Sequence, residues 1–136
     1  MLVQVELSRI LIQETDDTHI VELREINGPR IMPITIGYNE AAAIERRLLG
    51  NLPPRPLTHE LLADVIEKLN GSIDKIIISD LQEHTFFAQI IIKDPENNLI
   101  AIDSRPSDAI ALGSATNVPL FVDDHVLDEV TKPFQS

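Results

Sequence analysis

The sequence predicts an α+β fold: a single domain over residues 1–136, with a mainly antiparallel or mixed β-sheet and about four helices. Three observations predict it. Short runs such as "MLVQVELSRI" and "TFFAQIIIK" have the alternation or β-branched content of strands. "EAAAIERRLLG" and "HELLADVIEKLN" place apolar residues at helical spacing. The two kinds of segment follow the order β-β-β-α-α-β-β-β-α-β-α, with no internal repeat and no composition break at which to cut the chain.

In the first strand Val3, Val5 and Leu7 share a face, and Asp16-Asp17 supplies a turn into "THIVELREI". Gly28 and Pro29 of "NGPR" break the pattern and deliver Arg30 to the start of a third strand, "IMPITI", whose Pro33 argues for an edge or a bulge. Asn39 is the expected N-cap of the first helix, with Glu40 at its positive end, Arg46 and Arg47 in its last turn and Gly50 after it. Pro53, Pro54 and Pro56 hold Arg55 in a stiff, exposed connection.

Thr58 is expected to cap the second helix, in which Leu61, Leu62, Val65, Ile66 and Leu69 form an apolar stripe while His59, Glu60, Asp64 and Glu67 face elsewhere. "IDKIIISDL" and "TFFAQIIIK" read as strands, and "DPENN" turns the latter into a buried strand at residues 99–102. Pro106 opens a short helix, a strand "PLFVD" follows, and Val126, Leu127 and Val130 mark a last helix.

Asp plus Glu total 22 against 11 for Lys plus Arg, a formal charge of −11 that repels polyanions at long range. Binding a nucleic acid therefore requires a local basic patch or bound cations. With no Cys, disulfide scaffolds, thiolate zinc sites and thiol nucleophiles are excluded. The N-terminus lacks the form of a signal peptide and no apolar run approaches the ~20 residues of a bilayer span, so a soluble, cytoplasmic protein without membrane partners is expected. P-loop, dinucleotide-binding, serine-esterase and zincin motifs are absent from the sequence.

The stretch "AIDSRPSDAIAL", residues 101–112, sets Asp103, Arg105 and Asp108 where a strand gives way to a helix. One explanation is local: Asp108 caps its own helix and Arg105 pairs with a nearby acid. The other is chemical: two carboxylates hold a divalent cation and a guanidinium grips phosphate.

"REINGPRIMPITIG", "EAAAI", "RPLTHELL", "FFA", "IDSRPSDAIAL" and "VPLFV", in this order along most of the chain, together resemble the bifunctional nuclease family. The resemblance implies a compact α+β domain, often oligomeric, that cleaves both DNA and RNA. Glu60, Ser104 and Thr35 depart from the family pattern.

Phosphodiester hydrolysis needs charge neutralisation on the phosphoryl oxygens and an activated water, which carboxylate-bound Mg²⁺ or Mn²⁺ can provide. Asp103 and Asp108 are the first choices as ligands, with Glu25 as a possible third or else a solvated strand residue. Arg30, Arg55 and Arg105 are candidates for phosphate binding or for pairing with the acid-rich surface. His59 can act as general base or pack over the Pro-rich loop; catalysis is thus assigned to His59, Arg105 and Asp108. The competing expectation is a non-catalytic oligomeric binding module whose charges form a structural ion-pair network. A homodimer is the commonest outcome for such an oligomer.

Overall fold

A computed structural model of the chain describes residues 1–13 and 18–131. The elements are β1 (Leu2–Leu11), β2 (Thr18–Glu25), β3 (Ile31–Gly37), α1 (Tyr38–Leu49), α2 (Thr58–Lys68), β4 (Ser72–Gln82), β5 (Thr85–Lys93), β6 (Leu99–Ser104), α3 (Pro106–Gly113), β7 (Leu120–Asp123) and α4 (Asp124–Thr131). Their order is the one the hydrophobic patterning predicts. The turn expected at Asp16-Asp17 lies outside the described residues.

The strands form one mixed sheet in the order β3-β2-β1-β7-β4-β5-β6. Two antiparallel meanders, β1-β2-β3 and β4-β5-β6, are joined by β7, which runs antiparallel to β1 and parallel to β4. Pro33 sits on the edge strand β3, where its missing N–H costs no sheet bond.

The core gathers the inward faces of both meanders around α3. Every residue of this short helix is buried except Asp108, as expected of a helix that is apolar on all sides. β5 and β4 pack on one side of it and α1 and α2 on another. Arg47, reaching from α1, donates from Nε to Ala111 O at 2.7 Å and from Nη2 to Leu112 O at 3.3 Å, satisfying carbonyls at the end of a helix that has no basic residue in its last turn.

Several local expectations are corrected. Asn39 and Thr58 lie inside their helices, whose caps are Gly37 and Leu57 without side-chain capping bonds. At the second helix Glu60 takes over part of the task, its carboxylate accepting from Leu57 N–H at 3.2 Å. Gly50 does end α1, at φ 69°, in the left-handed region that favours glycine.

The stripe of α2 is the larger correction. Leu61, Leu62, Val65 and Leu69 are exposed, whereas Glu60 is buried and His59 and Ala63 turn inward. Strand β6 likewise lies open at the sheet edge, with Leu99, Ile100 and Ile102 exposed instead of buried. In both segments hydrophobicity announced a covered surface, and no described part of the chain covers it.

Candidate functional site

The first turns of α1, α2 and α3 converge with the end of β6 around a cleft of about 460 Å³ lined by Glu40, His59, Leu62, Ile102, Asp103, Arg105 and Asp108, among others. Each helix brings its N-terminal end, so three partially positive backbone termini face a common space. Pro106 at the first position of α3 starts that helix without wasting an N–H, and Arg105 in extended backbone geometry precedes it.

Asp108 is the hub. His59 Nε2 lies 2.9 Å from its Oδ1 and Arg105 Nε lies 2.9 Å from its Oδ2. A carboxylate only accepts, so Nε2 of the neutral imidazole carries the hydrogen and Nδ1 holds the free lone pair. Nδ1 has no protein partner among the described residues and is not sealed from solvent there. Burial pushes the Asp108 carboxyl up, but the hydrogen bonds from Arg105 and His59 outweigh it and hold the group below the usual carboxylate range. In turn Asp108, and after it Glu40, raise the pKa of Arg105, keeping it cationic.

Arg105 continues the chain to Glu40, whose Oε1 accepts from Nη2 at 3.1 Å. The Arg105 side chain is two-thirds exposed and its Nη1 has no protein partner among the described residues, so it keeps donors for a ligand in the cleft. Asp108 makes no cap to its own helix; the local alternative survives only as its pairing with Arg105.

Of the residues singled out in the sequence, His59, Asp103, Arg105 and Asp108 line this one cleft. Glu25 and Arg30 do not join them. They stand at the far end of the β2–β3 hairpin from Gly37 and Glu40, roughly 20 Å away along β3 at about 3.3 Å per residue. There Glu25 accepts from Arg30 Nε at 3.1 Å and Nη2 at 2.9 Å, while Asp124 and Asp128 of α4 accept from the same guanidinium at 3.0 and 2.8 Å.

Arg30 thus clamps α4 to the hairpin, with its charge shared among three carboxylates instead of presented to phosphate. The Arg30 hydrogen bonds hold the Glu25 carboxyl below its ordinary range. Gly28 serves the same clamp, because a Cβ there would overlap the Glu25 carboxylate. Arg55 is exposed in the Pro-rich connection and does not line the cleft.

Sequence reasoning missed Glu40 as a site residue. An acid in a helix's first turn is explained by the macrodipole, and only the fold shows it reaching Arg105. No group of three or more His, Asp or Glu among the described residues is gathered closely enough to hold a metal ion, so the trio of Asp103, Asp108 and Glu25 is not assembled.

Residues 21–135 match the model of the bifunctional nuclease domain. The chain belongs to this family. It is also 40% identical over 124 residues to uncharacterised proteins from two strains of Mycobacterium tuberculosis, a match covering 91% of this chain and 73% of each relative. The matched residues, 21–135, include the whole cleft. No helix among the described residues is long and apolar enough to cross a membrane.

Proposed function

We propose that this member of the bifunctional nuclease family hydrolyses phosphodiester bonds of DNA and RNA in the cleft, with low sequence specificity. The observation that carries the proposal is the His59–Asp108–Arg105 chain lining one cleft, in which His59 Nδ1 and Arg105 Nη1 have no partner among the described residues. Arg105 holds a non-bridging phosphate oxygen, aided by the three helix ends. His59 Nδ1 takes a proton from water as that water attacks phosphorus, the bond from phosphorus to the bridging sugar oxygen breaks with its electrons and that oxygen takes a proton from solvent, while Asp108 holds the ring in the required tautomer and stabilises the imidazolium that forms.

Glu40, Asp103 and Asp108 leave the cleft acidic, which opposes a polyanion. The proposal includes Mg²⁺ or Mn²⁺ arriving with the phosphate, since such ions are commonly held by one or two carboxylates plus substrate oxygens. Asp103 and Asp108 would hold it, and it would supply charge neutralisation.

The test is incubation of the purified chain with single-stranded DNA, RNA and plasmid, in Mg²⁺, Mn²⁺ or EDTA, beside Asp108→Ala and Arg105→Ala. Cleavage that is lost in both variants while their folding is retained supports the site. Cleavage unchanged in both, or no cleavage of any substrate, overturns it. The exposed apolar surfaces of α2 and β6 favour the second reading, a non-catalytic interaction module, and an inactive but self-associating chain would decide for it.

A further inference from the structure

Glu40 is the third residue of α1, whose cap is Gly37. A glutamate at that position commonly reaches back to the N–H of the cap residue, as Glu60 does at the start of α2. Glu40 does otherwise. Among the described residues its only side-chain hydrogen bond is the one it accepts from Arg105 Nη2, so its carboxylate is committed to a side chain 65 residues away.

That carboxylate lies against Gly37. A Cβ built on Gly37 would stand 2.6 Å from Glu40 Oε2 and 3.6 Å from its Cδ, the first too close for any real side chain, and would meet nothing else within 4 Å beyond its chain neighbours. The backbone of Gly37 is extended, with φ −81° and ψ 172°, a conformation open to any residue. Glycine here supplies room for the carboxylate and not backbone freedom.

Arg105 needs a second anchor. Its side chain is 66% exposed, and Asp108 accepts from Nε alone. A single hydrogen bond leaves the guanidinium free to turn about it. The second, from Nη2 to Glu40, fixes the plane of the fork and leaves both Nη1 hydrogens for a ligand.

We propose that Gly37 and Glu40 are a positioning pair: the missing side chain of one makes room for the carboxylate of the other, which holds Arg105 in the orientation that grips a phosphate oxygen. The proposal rests on the nuclease reading for what Arg105 grips, while the anchoring stands apart from it.

Charge and anchoring act in opposite directions at Glu40, which makes them separable. Its negative charge opposes an incoming phosphate, so a role through charge alone means that removing the carboxylate tightens phosphate binding. Anchoring means that removal loosens it, because a long side chain must then be ordered by the ligand itself. A role confined to the helix macrodipole alters stability and leaves Arg105 unchanged.

The Arg105 Nε–H signal of the intact chain, assigned by its loss in Arg105→Lys, reports order through ¹⁵N relaxation and binding through its shift on titration with inorganic phosphate. Glu40→Ala should lower its order parameter toward the flexible range, below about 0.6, and weaken phosphate binding several-fold. Glu40→Gln keeps the accepting oxygen and should restore the order. Gly37→Ala should reproduce Glu40→Ala, and the double variant should be no worse than Glu40→Ala alone, since both act through one contact. Glu45→Ala, which removes an exposed acid from the same helix, should change nothing. On a cleaved substrate, kcat should fall roughly ten- to hundredfold in Glu40→Ala and Gly37→Ala, as misplacement of a binding group costs, with KM changed less. A wild type that cleaves nothing overturns the nuclease reading, and the relaxation and phosphate data then decide the anchoring alone. If Gly37→Ala fails to fold, Glu40→Ala against Glu40→Gln decides it. An Nε–H equally ordered with and without the Glu40 carboxylate, a wild-type signal indifferent to phosphate, tighter phosphate binding in Glu40→Ala, or additive effects in the double variant would overturn the proposal.

Discussion

His59 Nε2 and Asp108 Oδ1 stand 2.9 Å apart across 49 residues of sequence, joining the first turn of one helix to the first turn of another. The bond selects the tautomer that leaves Nδ1 free. Asp108→Asn removes the acceptor charge and lets the amide donate to the ring instead. In the proposed reaction cleavage should fall by roughly 10²–10⁴-fold, the usual worth of general acid–base catalysis, while circular dichroism stays unchanged. Initial rates on labelled RNA and DNA check this, and a variant as fast as the parent would remove Asp108 from the mechanism.

A second ion-pair network holds α2 in place. Glu60 is buried and accepts from Arg46 Nε at 3.2 Å on Oε2 and from Nη2 at 3.0 Å on Oε1, while Arg47 Nη1 lies 3.7 Å from Oε2. Burial pushes its carboxyl up, but the two guanidinium groups and Leu57 N–H hold it below the ordinary value. Glu60→Ala leaves two arginines partly buried without their counter-charge and should cost about 3–5 kcal/mol, the range for breaking a buried pair. Urea denaturation would show the loss as a lower midpoint. A change within about 0.5 kcal/mol, as for an ordinary surface site, would show that the network contributes nothing.

How far the fold was legible depended on whether a signal was local. Gly50, Pro33 and Pro106 occupy the backbone positions their chemistry demands, so α1, β3 and α3 could be read directly. The facing of α2 could not. A leucine stripe states that a helix has an apolar side, but the side turned inward here is chosen by Glu60 meeting Arg46 and Arg47 and by His59 meeting Asp108. Arg30 is a similar case: its partners Asp124 and Asp128 lie 94 and 98 residues away, a distance no local pattern spans. At the cleft, Asp103, Arg105 and Asp108 were legible because they share one short stretch. Glu40 was not.

The hairpin joining β4 to β5 offers a prediction of opposite sign. Its two loop residues, Glu83 and His84, both have positive φ, 48° and 67°, the geometry that matches the twist of the flanking strands. Neither side chain favours it, since left-handed backbone costs roughly 1–2 kcal/mol for an L-residue. Glu83→Asn with His84→Gly restores residues suited to the turn, and part of the gain is offset by glycine's greater freedom in the unfolded chain. A net stabilisation of about 1 kcal/mol is expected. Thermal unfolding measures it, and a lower melting temperature would contradict the argument.

His125 supplies a stability term whose sign is set by pH. Its Nδ1 lies 2.7 Å from Asp123 and its Nε2 3.2 Å from Asp80, so both ring nitrogens face acceptors and the imidazolium is the favoured form. Asp123 first and Asp80 second raise its pKa above the ordinary 6.5. A raised folded value means that the native state binds the proton more tightly than the unfolded chain. The stabilisation is therefore complete below the unfolded pKa and is lost as pH rises through the folded one. The two aspartates behave inversely: His125 lowers Asp123, Gln82 followed by His125 lowers Asp80, and their contributions fade as pH falls through their depressed values. Wild type should exceed His125→Gln in melting temperature near pH 5.5, and the gap should shrink as pH rises beyond the folded pKa. A gap that widens with rising pH would show that the ring is held neutral against its two carboxylates.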